Sequence, residues 1–425
     1  MHRFFKSEFF NFEFIRILSA APYGGAEIAE CLVAASEIRN DDAESWHRAW
    51  LLQADKAKAL GDEAVQSGDT VSARRAYLRA SNYYRASGYM FHDRPGAPDA
   101  RVLPLAQQVV DTYALALPLL DTGEAIPLTI PFETLTQTHG LPAYLYLPRN
   151  RTTPVPVLLS LGGADSIQEE LYYVYAASGP QLGYAVLTFE GPGQGIPLRR
   201  DQTRMRPDWE VVVGRVLDFL TAYAQHHPAA RLDLSRVAVV GASMGGYYAL
   251  RAAADPRLGA CVAIDPFYDM WDFVRSHVSP ALLDAWNAGW VPARVVNGVM
   301  AMAMAASFQA RWEVGLAMWF FGVDSPTDTL RHMMKYTLAR DDGTSRLDRV
   351  QCPVLVSGAT QSLYLEPESD VLRVFDALAH LGDERREIWI ARKPEDGGLQ
   401  AKIGAIGLVV QRTFRFLDQH LNVTR

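Results

Sequence analysis

Cysteine is scarce in this chain of 425 residues, which has three, at positions 31, 261 and 352. The three are widely spaced and form no pattern typical of a small disulfide-stapled fold. Cys261 and Cys352 each adjoin a stretch that is predicted below as a core strand. We therefore predict buried free thiols rather than disulfides, as in proteins of a reducing compartment.

Neither a leader peptide nor a membrane-spanning segment is indicated by the sequence. The phenylalanine-rich start of the chain is interrupted by Lys6, Glu8 and Glu13, so it has no unbroken apolar segment of the kind a leader needs. The longest apolar stretch, 295–308, has 14 residues, whereas a membrane-spanning helix needs about 20. These absences predict a cytoplasmic protein.

Blocks of positive charge are also absent. The net charge is −7, with 41 basic and 48 acidic residues, and this balance argues against a nucleic-acid surface. No side-chain spacing indicates a metal site, and Gly191–Gly195 lacks the G-x-G-x-x-G arrangement of dinucleotide-binding turns. We therefore predict no nucleic-acid partner, no metal and no cofactor.

The first 120 residues predict a helical N-terminal domain. The pair Asp41-Asp42 precedes an apolar face of helical period from Trp46 to Leu60, and Gly61 weakens the end of this helix. The turn at 67–70 supplies the cap of a second helix, which is predicted to pair with the first as a hairpin. A proline-rich linker at 92–100 follows.

Residues 121–425 predict an α/β core domain. Short apolar runs read as strands at 128–135, 141–147, 155–161, 184–189, 237–240, 258–264, 354–357 and 387–390. Their alternation with helices indicates a mostly parallel sheet covered on both faces, with its chemistry at the carboxyl ends of the strands. The alternation breaks at about 266–338, which is predicted to be a helical cap insertion over that edge.

A serine in a G-x-S-x-G pattern follows one of these strands. The run Val237–Val240 is typical of a buried strand, the residues 241–245 match the pattern around Ser243, and an alanine-rich helix follows directly. Such a corner holds its serine in a strained conformation and presents the hydroxyl above the sheet. Ser243 is therefore the predicted catalytic nucleophile.

The predicted cap is rich in large apolar side chains. They are Trp271, Trp286, Trp290, Trp312 and Trp319, with Met300, Met302 and Met304 close together. Two interpretations remain open. These side chains either pack the insertion itself or line a pliable pocket for a large apolar substrate.

Five segments carry a resemblance to a known family: LGGADS at 161–166, FEGPGQG at 189–195, GASMGG at 241–246, AIDPFYDMW at 263–271 and GGLQAKIGA at 397–405. The chain from residue 128 onward resembles the α/β-hydrolase superfamily. With its helical N-terminal segment it is more narrowly similar to the FrsA-type and pseudooxynicotine-hydrolase group. The last two segments resemble the fungal fusarin- and cytochalasan-pathway hydrolases. The resemblance implies work on a polyketide or polyketide–amino-acid intermediate of secondary metabolism.

The resemblance also implies where the donors for a developing oxyanion lie. In the family geometry they are the backbone N–H of Met244 and an N–H of the turn at Gly162-Gly163. Glycine at position 163 would allow an acyl group to come close. The alternative for Gly163 is a tight turn with no further role.

The other two members of a serine-hydrolase triad are missing from their usual places. The acid normally follows the strand at 354–357, but no carboxylate occurs before Glu366. The histidine normally follows the last strand, but residues 392–400 contain none. Asp265, at the end of the strand after Ser243, is the tentative acid, and its alternative role is a cap or turn residue before Pro266.

No histidine is an obvious general base. His277 lies in the insertion, His332 and His380 lie on predicted helices, and His47 reaches a pocket only if the N-terminal domain lies over the sheet. His420 is predicted to be exposed on the terminal helix. Loss of the base lowers the rate of a serine-hydrolase reaction by several orders of magnitude. A site with oxyanion donors can still polarise a carbonyl and stabilise an enolate.

Three functions therefore remain open. The first is a hydrolase-type enzyme that acts on an acyl or carbonyl group through Ser243. The second is a non-hydrolytic cyclase that forms a lactam or pyrrolone ring, and the third is an inactive protein that binds an apolar metabolite. The partner predicted in each case is a small apolar molecule of polyketide type.

The aromatic N-terminus also suggests a homodimer interface. Its phenylalanines look exposed in the sequence and are Phe4, Phe5, Phe9, Phe10 and Phe12.

Overall fold

The structure is a computed structural model that describes residues 1–93, 97–133, 140–367 and 369–424. Five helices precede the sheet: α1 (Glu8–Leu18), α2 (Ile28–Glu37), α3 (Ala43–Gln66), α4 (Thr70–Gly88) and α5 (Val102–Ala116). The side chain of Asp42 accepts hydrogen bonds from the backbone N–H groups of Glu44 and Ser45, and Asp69 accepts one from Ser72. These caps lie where the sequence predicts them, because short acidic side chains satisfy the free N–H groups of a first turn.

Helix α3 continues through Gly61, contrary to the predicted weakening at this residue. A β-carbon at position 61 would lie 2.6 Å from the ring of Tyr77 on α4. That ring is buried and its hydroxyl donates a hydrogen bond to Asp62, so it has little freedom to move away. Gly61 therefore allows the close approach of the two longest N-terminal helices rather than ending one of them.

We expect Gly61→Ala to destabilise the protein by about 1–3 kcal/mol, because overpacking against Tyr77 outweighs the gain in helix propensity. The matched control is Gly298→Ala, since Gly298 is also helical but has no atom within 4 Å of its would-be β-carbon. That control should stabilise by about 0.5–1 kcal/mol. Urea denaturation measures the change in the free energy of unfolding for each variant. A change of the same sign in both would contradict this explanation.

Within the described residues, eight strands form one sheet in the order β1-β2-β4-β3-β5-β6-β7-β8. They are β1 (Glu124–Ile130), β2 (Leu141–Leu147), β3 (Val155–Leu161), β4 (Ala185–Phe189), β5 (Leu232–Ala242), β6 (Leu258–Ile264), β7 (Val354–Ala359) and β8 (Arg386–Ala391). The pairs β1–β2 and β2–β4 are antiparallel and the others are parallel. The first strand begins four residues earlier than predicted and ends at Ile130, and residues 134–135 of that prediction lie outside the described residues.

Helices cover both faces of this sheet. Between the strands lie α6 (Gln168–Leu171), α7 (Gly195–Arg199), α8 (Trp209–His226) and α9 (Met244–Ala252). The cap comprises α10 (Met270–His277), α11 (Pro280–Asn287), α12 (Ala293–Ala306), α13 (Phe308–Phe321) and α14 (Pro326–Met333), and the last helices are α15 (Val371–Ala377) and α16 (Ile406–Leu421). Every residue of β3 and β4 is buried, as continuous apolar runs in a doubly covered sheet require.

The phenylalanines of the N-terminus are part of the core, so their prediction as an exposed interface is wrong. Phe9 and Phe10 are fully buried. The ring centroid of Phe10 lies 5.1 Å from that of Trp46 on α3, and the centroid of Phe9 lies 4.9 Å from that of Trp312 on α13. The aromatic segment thus attaches the N-terminal helices to the cap, and it offers no support for a homodimer.

Two other predictions concern the cysteines and the membrane. Cys31, Cys261 and Cys352 are all buried and free, as predicted. In the part of the chain that the structure describes, no helix has the length and apolar character needed to cross a bilayer.

Candidate active site

Ser243 occupies the corner between β5 and α9 in a strained conformation, with φ of 56° and ψ of −121°. A β-carbon on Gly241 would lie 2.1 Å from the carbonyl oxygen of Gly245, and one on Gly245 would lie 2.8 Å from that of Leu161. Only glycine fits at these positions. The two flanking glycines therefore permit the corner itself, as the G-x-S-x-G pattern predicts.

Two backbone N–H groups beside Ser243 remain free. Met244 is the first residue of α9, and its N–H has no acceptor among the described residues; the same holds for Gly163 in the turn after β3. The positive end of the α9 dipole adds to the potential at Met244. This geometry is suitable for a carbonyl oxygen that gains negative charge, and the oxyanion roles of Gly163 and Met244 stay a prediction.

Gln194 holds the turn that carries Gly163. Its side-chain Nε2 donates to the carbonyl oxygens of Gly162 and Gly163, both at 2.8 Å, and its Oε1 accepts from the N–H of Gly191 at 2.9 Å. Because both carbonyls are tied down, the Gly163 N–H is fixed in direction. Gln194 belongs to the motif FEGPGQG, but its positioning role did not emerge from the sequence.

A buried acidic pair lies behind this turn. Glu190 accepts hydrogen bonds from the N–H of Ile196 at 2.7 Å and of Gln168 at 3.4 Å, while Glu169 accepts from the hydroxyl of Tyr144 at 3.3 Å. Burial, together with the negative charge of Glu190, raises the pKa of Glu169 to about 8. Burial also raises the pKa of Glu190.

This pair gives a pH dependence of stability with a definite sign. The pKa of Glu169 rises from 4.5 when unfolded to about 8 when folded, so its contribution is present below pH 4.5 and is lost as the pH rises through 8. Glu169→Gln cannot ionise. We expect the unfolding free energy of the wild type to fall by about 1.4 kcal/mol per pH unit more than that of this variant across this window. Chemical denaturation of both proteins between pH 4.5 and about 8 measures this difference. Parallel plots of unfolding free energy against pH for the two proteins would contradict the prediction.

A cavity of about 270 Å³ adjoins Ser243. This volume is just below the range of about 300–1,000 Å³ that is typical of small-molecule sites. Gly163, Ser243 and Met244 lie at its floor. Its apolar walls come chiefly from the cap and from α1 and include Phe12, Phe267, Met270, Phe273, Trp312, Leu316, Phe320 and Met333. The cap and the N-terminal helices thus both enclose the carboxyl edge of the sheet.

Most of the large cap residues named from the sequence do not line this cavity. Trp312 does, but Trp290 is 83% exposed and Met302 is 67% exposed on α12. Met300 and Met304 also lie outside it, Trp286 packs within the cap, and Trp319 packs into the main core. The prediction of a methionine cluster at 300–304 lining the pocket is wrong, because α12 lies on the outer side of the cap.

None of the histidines that the structure describes lines the cavity. The ring nitrogens of His47, His277, His332 and His380 contact the backbone oxygens of Ser87, Phe273, Asp328 and Val350 at 2.8–3.0 Å. His277 is exposed at the end of α10, where its ring packs against that of Phe273, and His139 lies outside the described residues. Within the described residues, Ser243 therefore has no imidazole partner.

Asp265 lies beside the elbow, but its carboxylate is fully engaged. It accepts hydrogen bonds from the Ser357 hydroxyl at 2.9 Å, the Ala401 N–H at 2.8 Å and the Lys402 ammonium at 2.7 Å. Lys402 is fully buried and also donates to the carbonyl oxygen of Gly358 at 2.8 Å. Lys402 therefore takes the place beside Asp265 that a histidine after the last strand would occupy in a triad. The role of Asp265 as a catalytic acid stays a prediction.

One side of the cavity, next to the turn that carries Gly163, is charged. Arg16 on α1 donates to Asp165 at 2.5 Å and to both carboxylate oxygens of Glu170 at 2.5 and 2.6 Å, and it lies 3.4 Å from Glu13. The Tyr89 hydroxyl also donates to Asp165, at 2.5 Å. Sequence reasoning missed this cluster, since Arg16 contacts Glu170 across 154 residues. The signal in the sequence was the pair Glu13 and Arg16, one turn apart among the apolar residues of α1.

Comparison with known proteins agrees with this geometry. The pattern of the alpha/beta hydrolase family matches residues 172–387, and that of the group described as esterase FrsA-like matches residues 42–274. The chain is 89% identical over its whole length to "Hydrolyase poxO" of Penicillium oxalicum, covering 100% of both chains. It is 50% identical to "Hydrolase ORFZ" of Pyricularia oryzae and 49% identical to "Hydrolyase ccsE" of Aspergillus clavatus, covering 100% of this chain and 99% of each relative.

Solved structures share the fold. A 2,6-dihydroxy-pseudo-oxynicotine hydrolase superposes with a TM-score of 0.68 at 20% identity, covering 95% of this chain and 96% of that one. AbyA5 superposes with a TM-score of 0.58 at 19% identity, covering 96% and 94%. The sheet order, the corner at Ser243 and these matches lead to one conclusion: the chain belongs to the alpha/beta hydrolase family.

Proposed function

We propose that the protein is an enzyme that activates a carbonyl group of an apolar polyketide–amino-acid intermediate and closes a lactam or pyrrolone ring without an acyl-enzyme. In this proposal the N–H groups of Gly163 and Met244 and the hydroxyl of Ser243 all donate to the carbonyl oxygen. The setting is secondary metabolism of the fungal type, since the relatives of high identity are fungal.

One observation carries the proposal: Ser243 faces an apolar cavity with free N–H donors but no imidazole, and Lys402 neutralises the nearby Asp265. A serine hydroxyl is barely ionised near neutral pH, so it needs a base to attack a carbonyl. Hydrogen bonds to a developing oxyanion need no such base. The site is therefore better suited to a substrate that brings its own carbon nucleophile.

The cavity supports ring closure within one substrate molecule. Its walls are mainly aromatic and aliphatic, which favours a folded apolar chain and lowers the amount of water near the carbonyl. Holding both reacting carbons in one cavity supplies proximity, which is worth several kcal/mol in intramolecular reactions. The polar groups at the floor and in the charged cluster around Arg16 fix the orientation of the substrate.

Hydrolysis is the second candidate, and two observations favour it. The strained φ of 56° at Ser243 is typical of a catalytic serine, and the relatives are named hydrolases or hydrolyases. Hydrolysis through Ser243 needs a general base, and no histidine lines the described cavity. It predicts acyl transfer to Ser243, which the ring-closing function does not need.

A synthetic substrate distinguishes these functions. We would incubate the protein with an amino aldehyde acylated by 3-oxododecanoic acid and follow the products by liquid chromatography and mass spectrometry. The proposal predicts a cyclised product that forms faster than in buffer and at a lower rate with Ser243→Ala. Release of the free fatty acid instead would support hydrolysis. Tight binding with neither product would support a metabolite-binding protein and refute both enzymatic functions.

A further inference from the structure

Glu13 is the least neutralised carboxylate of the charged cluster that Arg16 forms with Asp165 and Glu170 in the cavity wall. The short contacts of Arg16, at 2.5–2.6 Å, go to Asp165 and Glu170, whereas its contact with Glu13 is 3.4 Å. Arg85 also lies nearer to Glu170, at 3.4 Å. Two guanidinium groups thus neutralise two carboxylates, and the third, Glu13, is left over.

Burial gives the carboxyl group of Glu13 a pKa near neutrality. Glu13 is 2% exposed, and it lines the same cavity as Ser243. Burial raises its pKa to about 7, because it outweighs the attraction of Arg16. The titratable and charged groups that face it are Arg16 on α1, Arg85 and Tyr89 on α4, Asp165 after β3 and Tyr364 after β7.

We propose that Glu13 is the general base of this site and takes a proton from the carbon nucleophile of the substrate. The inference rests on the proposed ring closure and assigns to it a residue outside any serine-hydrolase triad. The base would act from α1, whose Arg16 contacts Asp165 in the same turn after β3 that carries Gly163. Substrate bound between the two would have its acidic carbon toward Glu13 and its carbonyl oxygen toward Gly163 and Met244.

The proton balance of this step is complete. The carboxylate of Glu13 takes a proton from the carbon between the ketone and the amide, and the resulting enolate attacks the aldehyde carbon. One carbon–carbon bond forms, and the aldehyde oxygen becomes an alkoxide held by the N–H donors. Protonated Glu13 returns its proton to this oxygen by way of the cavity, which gives a hydroxyl and restores the carboxylate. No oxidant or further reactant is needed.

The other carboxylates of the cavity are less suited to this role. The short contacts with Arg16 and Tyr89 lower the pKa of Asp165 and make it a weaker base. Both carboxylate oxygens of Glu170 already accept hydrogen bonds from Arg16. Glu313, on α13 of the cap, accepts a hydrogen bond from the side-chain amide of Gln309 at 2.8 Å. It is also more exposed than Glu13. Glu313 is therefore the competing candidate that the experiment has to exclude.

Proton exchange isolates this step from ring closure. The probe is N-benzyl-3-oxododecanamide, which has the acidic carbon but no aldehyde, and proton NMR in D₂O follows the loss of its signal above the buffer rate. For wild type we expect exchange whose rate rises with pH through about 7. For Glu13→Gln we expect the exchange rate to fall by about 10²-fold or more, and we expect its pH-dependent rise to disappear. Glu13→Asp should retain the rise at a reduced rate.

The matched control is Glu8→Gln, which makes the same change on the exposed side of α1. It should exchange the probe like wild type. If Glu13→Gln keeps the wild-type rate and pH profile, or if Glu313→Gln loses the rise instead, the assignment of Glu13 is wrong. If Glu13→Gln and Glu13→Asp lower the rate equally and leave the profile unchanged, Glu13 has only a structural role, and the assignment is again wrong.

The two proposals fail in different ways. If wild type closes the ring of the acylated amino aldehyde but Glu13→Gln does so equally well, only the assignment of Glu13 fails. If wild type neither exchanges the probe nor closes the ring, the proposed function fails and the assignment of Glu13 fails with it. Circular dichroism and thermal melts of each variant show whether it has folded.

Discussion

Ser243→Ala is expected to lower the rate of ring closure by about 10²–10³-fold. This is the range observed when one oxyanion donor is removed from an enzyme. A serine that acts as a nucleophile within a full triad contributes far more, about 10⁶-fold. The size of the loss therefore reports the role of the hydroxyl. Single-turnover kinetics with the acylated amino aldehyde measure it directly.

The control for this variant is Ser235→Ala on the same strand. Ser235 is exposed, and its hydroxyl donates to Asp233 at the amino end of β5, away from the cavity. It should retain the wild-type rate. An undiminished rate in Ser243→Ala would show that the hydroxyl takes no part. A loss near 10⁶-fold would point to a covalent mechanism instead.

Lys402→Met is expected to destabilise the protein by about 3–5 kcal/mol, because it leaves the carboxylate of Asp265 buried without a cation. Both members of this pair are almost completely buried, with side-chain exposures of 0% and 2%. The double variant Lys402→Met/Asp265→Asn removes both charges and should recover much of the loss. Asparagine tolerates the positive φ of 47° at position 265. Chemical denaturation of the two single variants and the double variant measures the coupling.

The matched control is Lys58→Met, which breaks an exposed lysine–aspartate pair on α3 whose length, 2.8 Å, is close to the 2.7 Å of the buried pair. Such surface pairs contribute less than about 1 kcal/mol. If Lys402→Met lowers the free energy of unfolding no more than this control does, the Lys402–Asp265 pair does not stabilise the loop after β8. Additive losses in the double variant would contradict the coupling between Lys402 and Asp265.

The elbow and the sheet were predictable because their signals are local. A strand, a serine between two glycines and a helix occur within about 18 residues of sequence. Steric exclusion at Gly241 and Gly245 requires this pattern in any such corner. The alternation of strands and helices likewise indicated the mostly parallel sheet, although β1 and β5 begin earlier than predicted, β5 at Leu232 rather than Val237.

The contents of the site were harder to predict because they depend on distant contacts. Asp265 meets Lys402 across 137 residues, and Arg16 meets Asp165 across 149. The sequence showed that a histidine is missing but not that a lysine takes its position. The N-terminal phenylalanines were misjudged for the same reason, since their apolar partners Trp46 and Trp312 lie in separate parts of the chain.

The test nearest to the central claim is covalent labelling of Ser243 by a fluorophosphonate, followed by intact-protein mass spectrometry, on the preparation that closes the ring. The account predicts that wild type forms the cyclic product while its labelling is as slow as that of Ser243→Ala. Rapid stoichiometric labelling of wild type that disappears in Ser243→Ala would show an activated nucleophile and would contradict the account.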